Sequence, residues 1–149
     1  MWAAVTSVVV RPTFFMLIAF VVTFVVTRFV THMIRDGRGP FRDNTMGGVH
    51  IHHEVYGIFL LLVAGALEFA YRPDPPGPQI LATLFGIGAA LTLDEFALWL
   101  LLKDVYWTPQ GRLSVHAALL FGSLLAVLSG GGRFLHAVVR ESLLLLGRR

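Results

Sequence analysis

The residues that can do chemistry in this 149-residue chain are few and unevenly placed: six histidines, nine carboxylates and no cysteine. His50-Ile51-His52-His53-Glu54 opens one apolar segment, Asp94-Glu95 lies late in the next, and His116 lies early in the last. Neutral imidazoles and carboxylates are ligands for zinc, iron or manganese, and three protein ligands with an open position mark a catalytic metal site. His50, His52 and His53 supply ligands from one segment, Asp94 a third or fourth, and His116 another. Glu54 or Glu95, where not a ligand, is placed to act as general base toward a metal-bound water. The spacing matches neither HExxH nor a haem-attachment motif, and a His53–His116 pair alone is a weak basis for haem. The same residues read equally as a structural network, with Asp94 paired to an arginine such as Arg28 or Arg112. A third reading is a small ion or proton pathway through His53, Asp94 and His116.

These groups sit in a chain that is 56% hydrophobic and 14% charged, with a mean hydropathy of +0.72. Soluble domains are nearer 45–50% and about 25%. The charge-free runs Thr13–Thr27, Val55–Leu67, Pro75–Leu93 and Leu113–Gly132, with their flanks, each approach the roughly 20 residues needed to cross a bilayer. The expected fold is therefore all-α: a four-helix transmembrane bundle forming one polytopic domain over 1–149. Its spans lie at about 12–33, 49–71, 79–102 and 113–128. Arg11 before the first run has no cleavage site after it, so that run reads as a retained span rather than a signal. The tail at about 133–147 alternates basic and apolar residues and reads as an interfacial amphipathic helix, because Arg140-Glu141 would otherwise lie mid-bilayer.

Four spans bring the start of the second helix, the end of the third and the start of the fourth to one side, so the histidines and Asp94-Glu95 crowd one end. Small residues at Ala82, Gly86 and Ala90 recur every four positions, and Asp94 is next in that stripe; such stripes mark close helix contact in membranes. His53, Gly57, Ala64 and Glu68 share a face of the second helix, and His116, Ser123 and Gly130 recur every seven positions in the fourth. These faces direct His53, Asp94 and His116 toward one another. Glu68 is four residues from Arg72, the spacing of a helical ion pair. Tyr56, Trp99, Tyr106 and Trp107 read as interfacial belt aromatics, with Tyr56 also placed to hydrogen-bond beside His53.

Eleven of the twelve cations are arginines, scattered at segment ends with no basic stripe, which leaves a nucleic-acid role unsupported. Six fall on each side of a four-span arrangement, so the positive-inside rule is tied; the cations of the tail favour a cytoplasmic C-terminus. The strings HHEVYGIFLLLVAG, GIGAALTLDEFALWL, KDVYW and GRLSVHA resemble small integral membrane proteins of actinobacteria, with no activity attached to the resemblance. Arginine-rich, lysine-poor usage agrees with a GC-rich bacterial source. The expected function is a multi-pass cell-membrane protein with a metal site at one interface, acting as an enzyme on a lipid-like substrate. The alternative is a non-enzymatic subunit of a larger membrane complex or homo-oligomer.

Overall fold

The computed structural model describes residues 11–40, 45–46, 49–50, 52–131 and 140; the rest of the expected tail helix at 133–147, His136 and the side chain of His50 lie outside that set. Within it the protein is helical: α1 (Pro12–Arg35), α2 (His53–Tyr71), α3 (Gly77–Asp94), α4 (Phe96–Leu101) and α5 (Arg112–Ala126). A two-residue antiparallel pairing of β1 (Thr45–Met46) with β2 (Val49–His50) precedes α2. Three segments, Pro12–Arg35, His53–Tyr71 and Pro109–Gly130, are long and apolar enough to cross a membrane.

Sequence chemistry explains the ends. Pro12 occupies the first turn of α1, where its missing N–H has no helical partner to lose. Arg72 closes α2 in the left-handed region (φ 43°), its N–H bonded to the carbonyl of Glu68, and the proline-rich reversal then releases the chain into α3. The second helix starts at His53 rather than near 49, because Val49–His50 is committed to the β pairing. The third predicted span does not run unbroken to 102. It turns at Glu95 (φ −107°, ψ 16°) and resumes as α4.

The central element is α3, which packs against both α1 and α2, with α5 packing more lightly. The small-residue stripe is buried as the sequence implies: Ala82, Gly86, Ala90 and Asp94 are all enclosed, and Gly57 and Ala64 are enclosed on α2. A Cβ on Gly86 would collide with the backbone carbonyl of Met16, and one on Gly57 would lie 2.6 Å from Thr92 Oγ1 and 2.8 Å from Gly88 O. The backbones of α1 and α2 therefore lie directly on α3. Above this contact Phe20, Ala89, Ala90, Ala118 and Leu125 form the core, flanked by Met16, Leu17, Phe24, Leu61, Leu93 and Phe121.

The face of α5 differs from expectation. Ser114, Ala118 and Leu125 are buried, whereas His116 and Ser123 are exposed. Two residues along a helix rotate a side chain by about 200°, so burying Ser114 turns His116 outward. α5 runs on through a π turn, Val127–Gly131, where the buried Ser129 hydroxyl lies 2.9 Å from the carbonyl of Thr13 and 2.7 Å from that of Leu125. Ser129 thus ends the predicted polar stop as an anchor onto α1.

Because the contact at Gly86 is backbone against side-chain position, Gly86→Ala should destabilise the protein by about 1–3 kcal/mol. Gly65→Ala, where an added Cβ meets nothing within 4 Å, should stay within about 0.5 kcal/mol of wild type. Reversible unfolding in mixed micelles measures both.

Candidate functional site: a buried charge network

Asp94 ends α3 and is fully enclosed, with 0% exposure. An isolated carboxylate there would be costly to desolvate, and the surrounding segments answer with donors from three directions. Arg28 of α1 places Nε 2.5 Å from Asp94 Oδ1, and its Nη2 donates to the backbone carbonyl of Asp94 at 3.2 Å. His53, the first residue of α2, donates from Nε2 to Asp94 Oδ2 at 3.0 Å. Tyr106, in the connection after α4, donates its hydroxyl to the same oxygen at 2.8 Å. Arg28 also sees the negative end of α3, where a cation is favoured, and its guanidinium stacks over Tyr106 at 4.6 Å and Phe24 at 5.5 Å. The Tyr106 hydroxyl is further braced 2.9 Å from Thr31 Oγ1.

Glu95 extends the network to α2. Its Oε1 accepts from His52 Nδ1 at 2.7 Å, and its Oε2 accepts from the backbone N–H of Glu54 at 3.0 Å. His53 Nδ1 lies 3.5 Å from that same Oε2. The first N–H groups of a helix have no internal partner, and His52, at the N-cap position of α2, makes no side-chain cap bond. Glu95 supplies the cap from another helix, which is a favourable place for an anion. The break in α3 at Glu95 has its own compensation: the N–H of Ala97 donates to Ser114 Oγ of α5 at 2.9 Å, both residues being buried. One turn of chain thus ties α3 to α1, α2, α5 and the Tyr106 connection.

Of the residues expected to form a site, the structure brings together His52, His53, Asp94 and Glu95. Glu54 lies beside them, its Oε2 buried without a hydrogen-bond partner. His116 is exposed and takes no part, which corrects its assignment as a ligand and as a step in an ion pathway. Among the described residues no group of three or more histidines, aspartates or glutamates converges so as to hold a metal ion; Arg28 stands against the Asp94 oxygen a cation would take. Glu68 and Arg72 form no ion pair among the described residues, because the left-handed Arg72 has already left the helix. Tyr56, Trp99 and Trp107 are exposed. Trp107 meets the His32 ring edge at 5.0 Å and the Arg35 guanidinium at 4.4 Å.

Tyr106 and Ser114 were not legible as site residues. Tyr106 looks like its neighbour Trp107 until the chain turns it inward, and Ser114 looks like an ordinary helix-start serine. Arg28 could be weighed only as one of two pairing options. Its signal was depth: it lies seven residues before the end of α1, or about 10 Å of helix, too deep for a headgroup anchor.

No protein-family model matches the chain, and no curated protein or solved structure is similar to it at a significant level.

Two outcomes follow from this geometry. Asp94→Asn and Arg28→Met should each destabilise by about 3–5 kcal/mol, because each leaves its partner as an uncompensated buried charge. The double variant should recover a large part of the loss, and a double-mutant cycle in mixed micelles measures the coupling. The second outcome concerns pH. Burial works to lower the pKa of His52, but the hydrogen bond and charge of Glu95, helped by Glu54 and Asp104, outweigh it and raise it above 6.5. A raised histidine contributes stability that is fully present below the unfolded value and lost as pH rises through the folded value. Stability should therefore fall as pH rises above about 6.5 and through the raised value of His52, and His52→Gln should flatten that slope.

Proposed function

We propose that the chain is a four-span, non-enzymatic subunit of the bacterial cell membrane, and that its polar end is a fastening network rather than a catalytic centre. The fourth crossing is α3 continued through α4, whose combined length meets the bilayer requirement. The observation that carries the reading is the pairing of Asp94: its Oδ1 stands in ion-pair contact with Arg28 Nε without a hydrogen bond, its Oδ2 accepts from His53 and Tyr106, and its backbone carbonyl accepts from Arg28. A carboxylate held in this way is neutralised by partners of its own chain. The helix contacts around Gly57, Gly86 and Gly88 bring backbones together beneath it, which is poor ground for a water-filled pathway. The bilayer is the surrounding partner, and the tail cations favour a cytoplasmic C-terminus over an otherwise even count of cations on the two sides.

A second reading keeps a metal. Glu54 Oε2 is buried without a hydrogen-bond partner, and the nearby Glu95, His52 and His53 are residue types that bind zinc, iron or manganese, although they do not converge on one point as they stand. Such an ion would draw Glu95 from its capping role and use Glu54 as ligand or base toward a lipid-like substrate.

Elemental analysis of protein purified without chelator separates the two. The fastening reading predicts no stoichiometric metal in wild type and none lost in His53→Ala. About one ion per chain, lost in Glu54→Gln and Glu95→Gln but retained in His116→Ala, would establish the metal reading instead.

A further inference from the structure

At the end of the molecule away from the charge network, α1, α2 and α3 leave a cleft of about 230 Å³. Its walls include Met16, Ala64, Gly65, Phe69 and Phe85, and Glu68 is the ionisable residue among its lining. Pro12 and Pro78 also line it, and proline has no N–H to offer. Glu68 makes no ion pair among the described residues, and its Oε2 is buried without a hydrogen-bond partner. A carboxylate oxygen in an apolar setting without a donor is costly, and Arg72, the nearest cation in sequence, is exposed and makes no ion pair with it among the described residues.

We propose that this cleft is a binding site for an alkylammonium ion: a single apolar chain ending in an N–H-bearing ammonium. The chemistry is complementary on each side. The ammonium supplies the missing donor and the opposite charge to Glu68, Phe69 and Phe85 in the lining are rings whose faces attract a cation, and the remaining apolar wall takes the chain. Gly65 gives the site its room, since a Cβ there meets nothing within 4 Å. The site is independent of the charge network, so the reading of that network and this one fail separately.

The test is titration of the full-length protein in phosphatidylcholine nanodiscs with octylamine, and with octanol as the uncharged probe of equal chain length. Octylamine should bind saturably and about tenfold more tightly than octanol. Glu68→Gln should remove that difference, and Gly65→Leu, which fills the cleft, should abolish saturable binding of both while helicity is retained. Equal affinity for the two probes in wild type, absence of saturable octylamine binding, or undiminished octylamine binding in Gly65→Leu would overturn the proposal. Should Glu68→Gln fail to fold, the Gly65→Leu result decides alone.

Discussion

Asp94 has to be neutralised where it stands, and that constraint organises one end of the protein. A carboxylate with no exposure loses its hydration entirely, so its oxygens need fixed donors whose own desolvation is tolerable. Arginine suits the position because its charge is delocalised and weakly hydrated, and because it can stack on Tyr106 and Phe24 while it pairs. Each donor comes from a different stretch of chain. Satisfying one carboxylate therefore fixes the depth of α1 against α3, the start of α2 and the path of the connection after α4.

The neighbouring Glu95 turns a defect into a second tie. Leaving the helix at this residue frees backbone groups on α3 and α4. The Ala97–Ser114 bond recovers one of them, and the Glu95 side chain is thereby aimed at the uncapped start of α2. This is a division of labour between adjacent acids: Asp94 neutralises an arginine, and Glu95 caps a helix. His52 bonds to Glu95, and His53 bonds to Asp94 while lying 3.5 Å from Glu95, which accounts for a histidine-rich helix start without assigning it to catalysis.

Much of the helical layout was legible because its signals are local. Charge-free runs, Pro12, the proline-rich reversal and the Ala82-Gly86-Ala90 stripe each state their consequence within a few residues, and the burial of Asp94 follows from that stripe. What failed depended on rotation and partnering. The seven-residue row through His116 is marked by polar residues, but small residues at Ser114 and Ala118 win the interior of α5, and His116 turns out as a result. The unbroken third span failed because a helix-length apolar run does not reveal that Ser114, far along the chain, will stabilise a turn at Glu95. The sequence offers Asp94 two arginine partners, Arg28 and Arg112, and only the packing of α1 on α3 selects Arg28.

The most direct measurement of the central claim is a solid-state NMR distance between the Arg28 guanidinium nitrogens and the Asp94 carboxyl carbon, in selectively labelled protein in bilayers. The account predicts a strong dipolar contact at ion-pair range, within about 4 Å, with guanidinium protons protected from water. Absence of that contact, with the Arg28 protons exchanging freely, would contradict it.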